Sequence, residues 1–438
     1  MLDTVRLDGV NPPVYYLSTK IFVDMWGDSE MVLRMFSIIG GVSAVYVAWL
    51  LGKKAGGYAG GLAGMWFMAF HPMAIHYARD ARPYALVLAL ATLLVYVFMR
   101  LRRESSKPLW VSAFTLLALG QMSHYFFFVL GGVILLMVLT EIREKPMFFR
   151  YWTLVWIAAF LPLAGWLAWY FSQPTPSLGI GWIQKPAIAE MFGTWWNLLS
   201  GYGGVFSLPS TIFGLVSIGV VTAGVLLAKN RTESLRILLV GLVVPVIVVL
   251  VISQRRSVFV DRYFIVFLPV VVYLFALGAQ ELVLRFAGLN QNILSNRMLW
   301  VATPLILLSI GIWSGWQVHE DDKYSREDWR GLVAHFWEQG GAKFEVWLSE
   351  PEASIPLQYY LRGDLSLAST SLEPLLCETA CWWVLRQPYT ATHAFSQAVS
   401  LPGRPSFPEL PRECRLLDDW TSQSGLALWR VVCEHESG

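Results

Sequence analysis

Apolar runs of roughly twenty residues recur along most of this chain, and that is the length an α-helix needs to cross the hydrocarbon core of a bilayer. Ten such runs can be drawn: 31–52, 58–77, 83–101, 108–122, 124–141, 151–171, 210–228, 236–254, 262–284 and 298–317. None alternates polar and apolar residues with period two, so they predict helices rather than barrel strands. Composition agrees. Of 438 residues 55% are hydrophobic and 15% charged, where a soluble protein carries about a quarter charged residues. The shorter segment 13–26 contains Lys20 and Asp24 and reads as an interfacial or re-entrant helix.

Charge divides the chain. Residues 1–317 hold 23 Lys and Arg against 13 Asp and Glu, whereas residues 318–438 hold 10 against 18. The predicted fold class is a polytopic α-helical membrane protein of about ten transmembrane helices, residues 1–317, with a small C-terminal extracytoplasmic α/β domain, residues 318–438. In that domain 324–339 is expected as an amphipathic helix entered by Ser325, with Asp328 in its first turn. Segment 354–361 is expected as a second helix, 344–349 and 380–386 as strands, and 414–420 with 426–433 as a hairpin.

Orientation follows from the basic residues of the short connections. One set of loops carries 14 of them and the opposite set 6, so the first set is cytoplasmic. The N-terminal segment, the long loop 172–209 and the C-terminal tail then lie outside. All four cysteines, Cys377, Cys381, Cys414 and Cys433, fall in the tail, which suits disulfides in an oxidising compartment. Cys414 and Cys433 flank the hairpin symmetrically; Cys377 and Cys381 form the weaker candidate pair. Four free thiols are the bland alternative, and a zinc site fits the spacing least.

Candidate chemistry lies at the outer helix ends. Asp80 is the one acidic residue between Met31 and Arg103 and is flanked by Arg79 and Arg82. A carboxylate at the membrane boundary costs free energy unless paired or hydrated. It either closes its loop against arginine, or deprotonates a hydroxyl, or helps hold a divalent cation. Arg82, Arg255, Arg256 and Arg262 all stand on the outer face, where guanidinium groups grip phosphate through paired N–H bonds or simply meet anionic lipid headgroups. His124 ends a helix beside Tyr125, as either a structural or a substrate-binding group.

Five motifs, in order, resemble the GT-C membrane glycosyltransferases, specifically the dolichyl-phosphate-mannose protein mannosyltransferase-like group. That group includes protein O-mannosyltransferases and the lipid A aminoarabinose transferase. The motifs are Asn11-Pro12-Pro13-Val14-Tyr15-Tyr16 with Gly27-Asp28-Ser29-Glu30 and Leu33-Arg34; HPMAIHYARDARPYAL around Asp80 and Tyr84; Ser123-His124-Tyr125; Arg262-Tyr263 followed by Leu268-Pro269; and YSREDWRGLVAHF at the start of the tail.

The resemblance implies a polyprenyl-phosphate-linked sugar donor whose monosaccharide passes, with inversion, to an acceptor hydroxyl on a glycan, lipid or protein at the outer face of the plasma or inner membrane. No nucleic-acid partner is expected. It further implies Asp80 and Asp8 as catalytic carboxylates, and Arg82, Arg262, Asn11, Arg255 and Arg256 around the donor phosphate. Tyr15, Tyr84, His124 and Tyr263 would contact substrate. A transporter or flippase, or an inactive scaffold, is the alternative. The family places a histidine where Asn11 stands. It also places one more helix, then an outer loop with its principal catalytic Asp, ahead of the Pro-Pro segment. The opening residues therefore read as the end of an outer loop, and this chain is expected to be less active than its family.

Overall fold

The computed structural model describes residues 11–173, 183–201, 208–289, 309, 312–313, 328–339, 346–348, 354–361, 381–386, 414–421 and 426–433. The chain separates into two compact units, the first within Met1–Val318 and the second within His319–Thr390 and Ser400–Gly438.

The first unit is helical. Its elements are α1 (Val14–Trp26), α2 (Glu30–Phe70), α3 (Pro72–Ala78), α4 (Tyr84–Leu101), α5 (Lys107–Gln121), α6 (Phe126–Leu139), α7 (Pro146–Phe171), α8 (Ile188–Ser200), α9 (Leu208–Leu226), α10 (Arg231–Ser253, with a π-helical turn at Leu239–Val243), a 3-10 helix at Asp261–Phe267 and α11 (Leu268–Leu289). Among the described residues five helical stretches are long and apolar enough to cross a membrane, beginning at Glu30, Tyr84, Pro146, Arg231 and Asp261.

That differs from ten expected runs for identifiable reasons. Two runs share α2, whose helical backbone breaks at Gly56 (φ −138°) and Gly57 (φ 61°), a conformation that favours glycine. The two arms fold back on each other so closely that a Cβ on Gly52 would stand 2.3 Å from the Gly60 carbonyl oxygen. The expected run 58–77 stops at Phe70, because Pro72 holds His71 in an extended conformation (ψ 118°) and the chain restarts as the short α3. Helices α5 and α6 have 15 and 14 residues, and the run 298–317 lies almost wholly outside the described residues. Helix α1 begins at Val14, after Pro13, one residue inside the expected segment 13–26.

The core of this unit is apolar and aromatic, with Phe67, Phe98, Phe127, Phe264, Phe267 and Phe275 buried together with Ala44, Ala48 and Leu51. Helices approach through small residues, as expected where lipid supplies no hydrophobic drive between them. At the other end of the bundle from residue 80, Arg102 bridges Glu141 and Glu233. Arg236 and Lys145 also reach Glu141, at 2.9 and 3.4 Å. Glu141 is 8% exposed, and a carboxylate so placed persists only because several cations surround it. This cluster ties the C-terminal end of α4, the α6–α7 turn and α10 into one frame.

The second unit has a four-stranded sheet of order β1-β2-β4-β3, with β1 (Val346–Leu348), β2 (Cys381–Arg386), β3 (Cys414–Thr421) and β4 (Leu426–Cys433). The β1–β2 pairing is parallel and the other two are antiparallel. Helix α12 (Trp329–Glu338) packs Trp329, Leu332, Val333 and Phe336 into a core with Trp382, Val384 and Leu428, joined by Leu357 and Leu361 of α13 (Ser354–Leu361). The expected entry to the first of these helices needs correcting. Asp328, not Ser325, is the cap, its carboxylate accepting from Gly331 N–H at 2.8 Å, because Asp is as good a cap as Ser. Cys381 and Cys414 each take part in a disulfide bond. The β3–β4 register sets Cys414 opposite Cys433, with a bulge between Leu416 and Asp418. Cys377 lies outside the described residues.

Candidate functional site

The sequence-predicted residues converge where α1, α2, the α3–α4 turn, the α5–α6 turn and the 3-10 helix meet. The α3–α4 turn is built by Asp80 N–H donating to Tyr77 C=O (3.3 Å) and Arg82 N–H donating to Asp80 C=O (2.8 Å). It brings Arg82 Nε within 3.7 Å of the Asp80 carboxylate. That contact is long and uses one edge of the guanidinium. The Arg82 side chain remains 56% exposed, so donors are left facing solvent or a ligand.

A buried hydroxyl chain supports the turn from below. Ser37 Oγ donates to the Arg82 carbonyl at 3.1 Å. Because that uses the single serine proton, the Tyr15 hydroxyl must donate to Ser37 Oγ, at 2.9 Å. Tyr15 is therefore placed as a support beneath Arg82; its ring is 2% exposed. The Val14 N–H donates to the Met122 carbonyl (3.0 Å), anchoring α1 to the turn that carries His124. Asn11 is buried, and its amide reaches Tyr16 OH at 3.5 Å.

Aromatic rings form one wall. The ring of Tyr84 lies 4.7 Å from Tyr77, 5.5 Å from His124 and 6.5 Å from Tyr263, and His124 lies 4.9 Å from Tyr263. Arg262 sits over Tyr263 at 5.7 Å, a cation–π arrangement, and is within electrostatic reach of both Arg82 and His124. His124 occupies the turn between α5 and α6. Its Nδ1 accepts from the Phe126 N–H at 3.2 Å, which leaves the ring proton on Nε2. It can donate one hydrogen bond to an oxygen but brings no charge.

Not all the predicted residues join this group. Arg255 and Arg256 stand exposed in the turn after α10, where they suit headgroups. Asp8 lies outside the described residues. Conversely, the site contains residues that sequence reasoning passed over. Asp261, immediately before Arg262, accepts from Thr194 Oγ1 at 2.6 Å and from Asn197 Nδ2 at 3.1 Å. Its one sequence signal is a lone acid in the apolar stretch 258–268. Ser37 gave no signal at all, being a serine within an apolar run. No group of three or more His, Cys, Asp and Glu able to hold a metal ion is present among the described residues. Two guanidinium groups, one with a carboxylate at its edge, phenol rings and a neutral imidazole are equipped to hold an anion beside a polar, ring-shaped ligand.

The chain folds like ArnT from Cupriavidus metallidurans. Against the apo crystal structure the TM-score is 0.58 at 11% identity, covering 96% of this chain and 87% of that one. Against the same protein bound to undecaprenyl phosphate it is 0.53 at 12% identity, covering 96% and 88%. At such identities the likeness is one of fold. No match is found among curated proteins. By sequence, residues 10–169 match the dolichyl-phosphate-mannose-protein mannosyltransferase family, which includes α1 to α7 and the Asp80–Arg82 turn. Residues 10–169 are thus similar to the dolichyl-phosphate-mannose-protein mannosyltransferase family, and the chain has an ArnT-like fold.

Proposed function

We propose that the protein transfers a monosaccharide from a polyprenyl-phosphate donor to an acceptor hydroxyl at the outer face of a plasma or inner membrane. The carrying observation is Arg82 beside Asp80, with Arg262 within electrostatic reach of Arg82 and over the phenol wall. A polyprenyl tail belongs in lipid, its phosphate belongs at the headgroup level, and both requirements are met at the end of a helix bundle. In this reading Asp80 takes the acceptor hydroxyl proton, and the oxygen attacks the anomeric carbon with inversion. The sugar–phosphate bond breaks with its electron pair leaving on phosphate, where Arg82 and Arg262 stabilise the growing charge. Tyr84 and Tyr263 flank the sugar, and Nε2–H of His124 donates to one of its oxygens. Tyr15 acts through Ser37 on the Arg82 backbone. Asn11 lines the approach, and Arg255 and Arg256 hold the donor's neighbouring headgroups. Asp8 remains a second candidate carboxylate. A divalent cation, if bound, would be held by Asp80 and would help neutralise charge on the leaving phosphate. About ten spans, a cytoplasmic set of basic loops and an extracytoplasmic tail complete the reading.

The test is transfer of radiolabelled sugar from polyprenyl phosphate in vesicles holding the full chain. Asp80→Asn should fold in normal yield and lose transfer by about 100-fold, the usual contribution of a positioned base. Equal transfer by wild type and Asp80→Asn at equal yield would remove Asp80 from the reaction. Movement of labelled lipid without transfer would favour a flippase instead.

We also propose Cys414–Cys433 and Cys377–Cys381 as the disulfide pairs, supported by the β3–β4 register and by the bonded state of Cys381 and Cys414. A link closing a hairpin loop of roughly twenty residues stabilises by about 3 kcal/mol if unstrained. Cys414→Ser should therefore lower the melting temperature of the C-terminal unit and leave one thiol open to labelling in denatured, unreduced protein. An unchanged melting point would be evidence against this pairing.

A further inference from the structure

We infer that Asp261 is a positioning residue: its carboxylate, gripped by Thr194 and Asn197 of α8, fixes the turn that presents Arg262 to the site. The inference rests on the glycosyltransferase reading and adds to it a residue outside the motifs that led there.

The argument begins with α8. Glu190, Thr194 and Asn197 fall at i, i+4 and i+7, on one face of the helix. They are buried, at 8%, 0% and 1% exposure, while Ile188 and Phe192 on other faces are 68% and 54% exposed. A helix that buries its polar side needs a polar partner, since unpaired buried polar groups are costly. Asp261 is that partner for Thr194 and Asn197. Its two oxygens take one hydrogen bond each, from Thr194 at 2.6 Å and Asn197 at 3.1 Å. Both donors are neutral side chains, so the grip fixes the carboxylate in place.

What is fixed is a tight turn. Tyr263 N–H donates to the Val260 carbonyl at 2.9 Å, so Asp261 and Arg262 are its two central residues. Pinning the Asp261 side chain to α8 leaves the Arg262 backbone little freedom, and the guanidinium then lies over Tyr263. Without the pin, Arg262 keeps its charge but samples more directions, and part of the binding energy for a phosphate is spent on ordering it. Asn197 adds a useful asymmetry. Its Oδ1 is buried without a hydrogen-bond partner. With asparagine at 261, a flip of the Asn197 amide restores a complementary pair, so Asp261→Asn should keep the latch where Asp261→Ala breaks it.

The experiment uses the full chain in lipid nanodiscs, with hydrogen exchange over residues 188–200 and undecaprenyl phosphate as the probe ligand. Asp261→Ala should speed exchange in α8 by at least about tenfold, leaving α4 and α11 unchanged, because a lost pair of hydrogen bonds opens only the element they hold. Undecaprenyl phosphate binding should weaken about tenfold, and in transfer the donor KM should rise while kcat falls, because Arg262 contacts a phosphate whose charge grows as the sugar–phosphate bond breaks. Asp261→Asn should stay near wild type in all three. If Asp261→Ala fails to fold, Thr194→Val removes one of the two donors and should give a smaller change in the same direction. Unchanged exchange in α8, or an equal loss in Asp261→Asn and Asp261→Ala, would overturn the latch. Failure of wild type to bind the probe would overturn the glycosyltransferase reading, and the exchange data would still decide whether Asp261 holds α8.

Discussion

Gly278→Leu is expected to leave almost no folded protein in the membrane. A Cβ at Gly278 would stand 1.8 Å from the Val220 carbonyl oxygen and 2.8 Å from Gly224 N, and a Cβ at Gly224 would stand 2.3 Å from the Leu274 carbonyl oxygen. Helices α9 and α11 therefore touch backbone to backbone. Adding a side chain there cannot be absorbed by a rotamer change; the helices must separate along their length. Overpacking a core commonly costs about 1–3 kcal/mol, and a rigid backbone contact lies at or above the top of that range. Membrane helices held by close packing have little else to compensate. The loss should extend to the site, because α11 continues directly from the 3-10 helix bearing Arg262 and Tyr263. Gly219→Leu on α9 is the control, since a Cβ there meets nothing within 4 Å. Monodisperse yield after detergent extraction and the melting temperature are the measurements. A Gly278→Leu protein matching Gly219→Leu in both would show that the crossing is not needed.

Removing both guanidinium groups, Arg82→Ala with Arg262→Ala, is expected to abolish undecaprenyl phosphate binding at concentrations that saturate wild type. A hydrogen bond to a charged group contributes about 1.5–3 kcal/mol, so each single variant should weaken binding by about 10- to 150-fold. The two act on one ligand and lie within reach of each other, so the double variant should depart from simple additivity. Arg82→Lys and Arg262→Lys should recover part of the affinity, keeping the charge while losing the paired N–H geometry. Arg255→Ala, changing an exposed turn residue, should alter binding by less than about threefold, in keeping with the small worth of exposed charges. Titration into nanodiscs at fixed ionic strength is the measurement. A folded double variant that binds within about twofold of wild type would refute phosphate recognition by this pair.

Much of this protein is legible before any coordinates. Apolar runs of bilayer length can be nothing but helices, because no other open structure satisfies its backbone in lipid. The hairpin of the second unit was equally plain, since two apolar-rich segments flank the small polar sequence Ser-Gln-Ser-Gly. Asp80 and Arg82 stood out because charge in an apolar background is costly and must be explained. Local chemistry settled some ends better than periodicity did. Pro72 ends α2 short of the expected point, Gly56 and Gly57 fold it into two arms, and Asp328 displaces Ser325 as a cap.

What the tertiary structure alone decided is which charges act together. Four arginines near helix ends, Arg82, Arg255, Arg256 and Arg262, look alike in the sequence. Only the packing of α11 and the turn after α10 separates Arg262, which joins Arg82, from Arg255 and Arg256, which face outward. The support beneath Arg82 joins Tyr15, Ser37 and residue 82 across gaps of 22 and 45 positions, and the grip on Asp261 crosses 67 and 64. Such pairs obey no helical or strand period. A side-chain hydrogen bond between distant elements depends on a few ångströms of helix placement, which is set by the whole bundle's packing and leaves no local mark on either partner. Length and hydropathy thus determined that the chain is a helical bundle in a membrane. The close contact of its backbones through glycine determined where the turns bearing Arg82, His124 and Arg262 meet, and with them the candidate site.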